Sequence, residues 1–127
     1  MKIFAVSDLH SFFNETQEAL NEAGFNPEDE NHLLVVCGDA FDRGPDSAKM
    51  LEWLLSLERM VYVKGNHDTL IQDMLKRGCA LWHDRHNGTE KTFYQLANEY
   101  ANDIYAHVDP YTKVKEVLQP LYDKMVN

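Results

Sequence analysis

Three short stretches hold most of the side chains that could act together in chemistry: Asp8-Leu9-His10, Gly38-Asp39-Ala40-Phe41-Asp42-Arg43-Gly44 and Gly65-Asn66-His67-Asp68. They offer carboxylate, imidazole and amide donors, with no thiolate inside any of the three. That donor set suits a hard or borderline divalent ion such as Mn, Fe or Zn. A carboxylate bridging two such ions holds them ~3.5–4 Å apart, the spacing of two-metal phosphoryl chemistry. Arg43 adds a planar fork for a phosphate, and the imidazole of His67 can hand a proton to a leaving oxygen. Singly, each stretch has a plain reading. Asp8-Leu9-His10 could be a strand-end turn with a solvated histidine, and Arg43 could pair with Asp42 or Asp46.

The elements that must position these residues can be read from the pattern around them. Each stretch comes after a short apolar run: Lys2 to Ser7, Leu33 to Cys37, and Met60 to Lys64. The runs are near-continuously apolar, which predicts strands covered on both faces. Between them, Asn14 to Ala23 reads as a helix capped by Asn14 and closed at Gly24. Pro45 to Leu57 carries Met50, Leu51, Leu54 and Leu55 at helical spacing with Pro45 in the first turn. A third helix runs from His67 to Arg77 and closes at Gly78. This alternation predicts an α/β fold with a parallel sheet and flanking helices. In such a sheet ligands sit beyond the carboxyl ends of the strands, where all three stretches fall. Gly38, Gly44 and Gly65 would allow tight turns there.

The second half predicts no strand between Gly78 and Asn127. Thr89 to Tyr100 reads as a helix with Phe93, Leu96, Ala97 and Tyr100 on one side. Asp109-Pro110 starts another, carrying Val114, Val117, Leu118, Leu121 and Met125, which Pro120 should kink or divide. His32 reads as a surface residue, His83 and His86 as part of a polar loop, and His107 as a packing or cap histidine. Tyr94, Tyr100, Tyr105 and Tyr111 read as core and helix contacts.

Composition narrows the function classes. The chain has 127 residues, a size for one domain, with 12 Lys+Arg against 21 Asp+Glu and a formal charge of −9. Such a balance argues against polymeric nucleic acid as a partner. The apolar runs are too short for a membrane span, and the first run turns polar at Ser7-Asp8, too early for a signal peptide. Cys37 and Cys79 suggest no disulfide framework, so a reduced, cytoplasmic protein is expected.

The three stretches, in this order and at these strand ends, resemble the calcineurin-like metallophosphoesterase superfamily. The Gly-Asp-Ala-Phe-Asp-Arg-Gly form is most similar to its serine/threonine protein phosphatase branch, including bacterial and phage members. The likeness is close over about Met1 to Gly88. The stretch from Trp82 to Thr92, with Asn87-Gly88 and Thr92, also resembles the segment after the third motif in phage-type members. The resemblance implies the first half of an αββα sandwich and a site with two divalent ions (Mn, Fe, Zn or Ni). It places Asp8, His10 and Asp39 on the first ion, with Asp39 bridging to the second beside Asn66. His67 would be the general acid, oriented by Asp68. Arg43 and Asn66 would hold the phosphate, and Asp42 would support the network by hydrogen bonds. The implied substrate is a phosphoprotein or a nucleotide, dinucleoside polyphosphates included.

The resemblance also has gaps. Ser11 stands where the family commonly has Gly, and nothing after Asp68 matches the family's later histidine motifs or its second phosphate-binding Arg. Residues 1–127 are therefore expected to be a single truncated domain with weak or partial metal occupancy and weak or no hydrolysis. An open sheet is expected to promote self-association. The alternative is a non-catalytic remnant that binds an ion or a partner.

Overall fold

The computed structural model describes residues 1–102 and 108–127. In chain order the elements are β1 (Lys2–Val6), α1 (Phe13–Ala23), β2 (His32–Val36), α2 (Ser47–Ser56), β3 (Met60–Val63), α3 (Asn66–Arg77), α4 (Trp82–Asn87), α5 (Thr89–Tyr100), α6 (Pro110–Lys124) and β4 (Met125–Val126). The four strands form one parallel sheet in the order β1-β2-β3-β4. The α/β architecture expected from the alternation of runs is the one observed.

Paired residues on neighbouring parallel strands face the same side. The rows Phe4–Leu34–Met60 and Val6–Val36–Tyr62–Met125 form one face of the sheet. That face packs with Met50, Leu51, Leu54, Ile71, Met74, Phe93, Leu96, Val114, Leu118 and Leu121 of the helices in a single buried cluster. The opposite face carries Ile3, Leu33, Ala5, Val35, Val61, Val63 and Val126, none of which joins that cluster. Ile3 is 66% exposed, Val61 38% and Val126 48%. The expectation of strands covered on both faces is therefore corrected. The positions on this face are apolar yet exposed or only half-buried, so continuous apolarity marks two apolar faces rather than two covered ones.

Other differences have local causes. A strand does occur after Gly78: Met125 and Val126 leave α6 and pair with Tyr62 and Val63. Two residues are too few to show a strand's period in sequence, and Met125 belongs to β4 rather than to the helix. Pro120 sits inside α6 without dividing it. Helix α1 begins at Phe13 with no side-chain cap, so Asn14 lies within its first turn, and α2 begins after Asp46, beyond Pro45. The closures at Gly24 and Gly78 are left-handed as expected. Asp109 caps α6 by accepting the Thr112 N–H.

His32 is buried, opens β2, and stacks between Phe4 and Phe25, with its Nδ1 accepting the Asn26 N–H at 3.0 Å. The expected polar loop at His83 and His86 is the short helix α4. Its Asp84 is buried and accepts from Arg77 and the Leu81 N–H. Tyr111 stacks on Phe93, whereas Tyr94 is 57% exposed. Tyr105 and His107 lie outside the described residues. Among the described residues, no helix is long and apolar enough to cross a membrane.

Candidate active site

The three motifs meet beyond the carboxyl ends of β1, β2 and β3. Among the described residues, six non-glycine residues have φ in the left-handed region: Asp8 (54°), His10 (46°), Ser11 (62°), Asp39 (58°), Asp42 (73°) and Arg43 (79°). All six lie in the first two loops. Such conformations cost free energy and persist where surrounding contacts hold them, most often at sites of chemistry. The contacts here are backbone bonds between the loops. His10 N–H donates to the Asp39 carbonyl (3.1 Å), Ser11 N–H to Ala40 (2.7 Å), and Gly44 N–H back to His10 (2.7 Å). Gly44 lies so close to the His10 carbonyl that any side chain there would collide with it. Ser11, which replaces the usual glycine, adopts a glycine-like backbone and buries its hydroxyl 2.8 Å from that of Ser47.

In the first loop His10 Nδ1 lies 2.8 Å from the Phe41 carbonyl, which can only accept, so Nδ1 carries the proton. This leaves Nε2 with its lone pair, 3.6 Å from Asp8 Oδ1. A histidine whose far nitrogen donates to a backbone carbonyl is set as metal ligands usually are. Asp39 Oδ1 accepts the His67 N–H at 2.7 Å, and Asp39 makes no ion pair with Lys or Arg among the described residues. Donor type and His10 tautomer thus fit a divalent ion. The number of donors falls short: among the described residues no three His, Cys, Asp or Glu side chains close around one point. Asn66 is exposed at the start of α3, and Arg43 is exposed without an ion pair among the described residues, which leaves its guanidinium for an external anion.

His67, the expected proton donor, is held differently. His67 Nδ1 lies 2.7 Å from Asp42 Oδ2, and Asp42 is fully buried. The carboxylate that orients His67 is thus Asp42, not Asp68 as the resemblance implied. Asp68 faces away into the core. Its Oδ2 accepts the N–H groups of Gly65 (2.8 Å) and Asp39 (3.1 Å), and its Oδ1 accepts the Tyr62 hydroxyl (2.9 Å). The Tyr62 oxygen in turn accepts the Ala40 N–H, and Tyr122 donates to the Asp68 carbonyl. Burial raises the Asp68 carboxyl above the ordinary range, partly offset by the two backbone N–H groups. Burial and the nearby Asp68 charge push Tyr62 and Tyr122 up as well. Asp68 ties the second and third loops together, while Asp42 touches His67. The His67 and His10 rings meet edge to face at 4.8 Å between centroids, which joins the two halves of the site.

Sequence reasoning assigned no role to Tyr62, Tyr122, Thr89 or Gln95. The tyrosines lie on a buried face where core packing explains them equally well. Thr89, Thr92 and Gln95 fall at i, i+3 and i+6 of α5, a polar stripe beside the apolar Phe93 and Leu96, and that spacing was the available signal.

Comparison with known proteins agrees with this geometry. The profile of the calcineurin-like phosphoesterase family matches residues 1–123, and the chain belongs to that family. A symmetrical bis(5'-nucleosyl)-tetraphosphatase of Buchnera aphidicola subsp. Schizaphis graminum is 39% identical over 69 residues, 54% of this chain and 24% of the relative. One from Pseudomonas syringae pv. syringae is 39% identical over 88 residues, 64% of this chain and 30% of the relative. Serine/threonine-protein phosphatase 1 of Salmonella typhimurium is 39% identical over 71 residues, 56% of this chain and 32% of the relative. The matched segment spans a quarter to a third of these curated relatives.

Proposed function

We propose that this chain carries the proton-handling and first-ion portion of a metal-dependent phosphoesterase site. The supporting observation is the buried Asp42–His67 pair set edge to face against a His10 whose tautomer suits a metal ligand. Asp8, His10 and Asp39 would hold one ion, and Asp39 with Asn66 would reach a second. Bound divalent ions supply charge neutralisation and acidify a water for attack on phosphorus. Arg43 binds the equatorial oxygens through its free guanidinium. His67 hands a proton from Nε2 to the leaving oxygen while its Nδ1–H stays on Asp42, which fixes the direction of the ring. With so few donors, metal affinity is weak and turnover is low, and manganese is the ion we favour.

The substrate is a phosphoester or phosphoanhydride of a nucleotide or a phosphoprotein, in line with the names of the tetraphosphatase and phosphatase relatives. Turnover of p-nitrophenyl phosphate with added manganese is the first test. Rates on a symmetrical dinucleoside tetraphosphate and on a phosphopeptide then choose the class. Metal-dependent turnover lost in His67→Asn is the expected result. No hydrolysis of any of the three would leave the second reading, a non-catalytic domain that binds a partner or one ion.

That second reading draws on the open sheet face. Ile3, Val61 and Val126 lie across β1, β3 and β4 with no cover, and a second copy of the chain is the occupant we propose. Sedimentation equilibrium at tens of micromolar should show dimers that Val61→Lys dissociates; a monomer for the parent chain rejects the association. The exposed, unpaired Cys37 and Cys79 accord with a reducing cytoplasmic setting.

A further inference from the structure

Asp42 is fully buried, and among the described residues its carboxylate is bonded by His67, Thr89 and Thr92 and by no residue of its own loop. Its carboxylate is met by the first turn of α5. The Thr92 hydroxyl lies 2.6 Å from Oδ1, and the Thr89 hydroxyl lies 2.8 Å from Oδ2. Both threonines are themselves buried. The Thr92 oxygen also accepts the Asp42 N–H at 2.8 Å through a lone pair, which leaves its one proton for the nearby carboxylate oxygen. The Gly88 carbonyl is its competing acceptor, at 3.5 Å. Gly88 has its own reason to be there. With φ of 86°, it lies against the Arg43 backbone, and a side chain would come within 2.7 Å of the Arg43 nitrogen.

A carboxylate turns easily about its last torsion, because that rotor is broad and two-fold. Two hydroxyl donors, one on each oxygen, remove this freedom. They also fix which species Asp42 is, since both Thr protons point at it and it must accept from both. An Asp42 that only accepts requires His67 Nδ1 to carry the proton, which frees Nε2. We infer that Thr89 and Thr92 are positioning residues of this site: through the Asp42 carboxylate they hold the His67 ring in one tautomer and one direction. The kinetic part of this inference rests on the proposed phosphoesterase reading, and the tautomer part does not. The same helix face continues to Gln95. Its amide donates to the Gly44 carbonyl at 2.9 Å and accepts from the Ser47 backbone at 3.1 Å, so α5 fastens the loop on both sides of Arg43.

The experiment compares Thr92→Val, Thr92→Ser and Thr89→Val with the parent chain by two readouts. The first is the pair of 15N chemical shifts of the His67 ring in the metal-free protein, which report the tautomer. The second is kcat and KM on p-nitrophenyl phosphate with manganese. In Thr92→Val the ring should lose its single Nδ1–H tautomer. Its kcat should fall about 10- to 100-fold, the usual effect of losing such an outer support, with KM unchanged. Thr92→Ser should restore both. A folded Thr92→Val with parental ring shifts and parental kcat overturns the inference, and so does failure of Thr92→Ser to restore the ring. Should Thr92→Val not fold, Thr89→Val decides by the same criteria, because it keeps the Asp42 N–H bond. A parent chain without turnover would reject the phosphoesterase reading alone, and the ring shifts would still decide this one.

Discussion

The two halves of the site are held in opposite ways. Around Asp8 the chain is strained and open. Its side chain is 65% exposed at φ 54°, with one long contact to His10. Around Asp42 and Asp68 the chain is buried and fully bonded, with the two carboxylates together accepting from two threonines, a tyrosine, a histidine and two backbone N–H groups. The difference separates two tasks. A group that must present a proton needs a fixed direction, which low-mobility hydrogen bonds supply. A group that must receive an ion needs unspent lone pairs, which the protein must leave unpaired and exposed. Metal affinity should therefore depend on residues whose loss barely affects the fold, and acid–base competence on residues the fold cannot spare.

The largest effect expected from this contrast is kinetic. His67→Asn should lower kcat by about 10²–10⁴, roughly 3–5 kcal/mol of barrier, as removal of a general acid does. Its manganese content should be unchanged. Asp39→Asn should do the reverse in binding, with metal lost and the fold kept, because the amide oxygen can still accept the His67 N–H. Metal analysis of the two purified variants checks the pair. Loss of metal in His67→Asn would erase the division of labour.

Next in size is the fold's dependence on Asp68. Asp68→Ala strands the Gly65 and Asp39 N–H groups and the Tyr62 hydroxyl, so it should cost about 3 kcal/mol by urea denaturation. A loss under about 1 kcal/mol would show that water replaces the carboxylate and that the buried half is less tightly specified than its bonds suggest.

The sequence showed the motifs, their strand-end positions and most helices, because these depend on local spacing and glycine placement. It did not show which carboxylate would face His67. Asp42 and Asp68 are both near the histidine along the chain or across the loops, and only the left-handed backbone at Asp42 turns its side chain toward Nδ1. Burial of His32 was equally hidden, since it depends on Phe4 and Phe25 arriving from other segments. The open sheet face was not legible in the local pattern of the strands. The apolarity of Ile3, Val35 and Val61 alone pointed the other way.

Smaller, and specific to the buried half, is an alkaline effect. Tyr62 and Tyr122 are both raised above the ordinary tyrosine value of 10.0, chiefly by burial. Above about pH 10 the unfolded chain loses these protons while the native chain keeps them. Stability is therefore full below that pH and falls as pH rises past it, by at most about 1.4 kcal/mol per pH unit for each group. Urea midpoints measured between about pH 9 and 11 should fall, and Tyr62→Phe should flatten part of that slope. An unchanged slope in Tyr62→Phe would mean that the network opens locally before the chain unfolds.

The smallest effect has the most diagnostic sign. Asp8→Gly removes an exposed side chain whose only polar contact among the described residues is the 3.6 Å approach to His10, and it relieves a left-handed backbone that glycine adopts freely. Against this stands the greater entropy of glycine in the unfolded chain, which costs roughly 0.5–1 kcal/mol. The strain in a non-glycine residue at such a φ is of order 1–3 kcal/mol. The balance favours the variant by about 1 kcal/mol, so Asp8→Gly should unfold at a higher temperature than the parent while binding manganese less well. Asp42→Gly, at φ 73°, relieves the same kind of strain but abandons two buried threonine hydroxyls and His67, so it should be destabilised. Thermal unfolding of the two variants side by side reads the contrast as a difference in sign. A destabilised Asp8→Gly would show that the loop around Asp8 is held by its side chain after all, and that the open half of the site is not built for an ion at the expense of the fold.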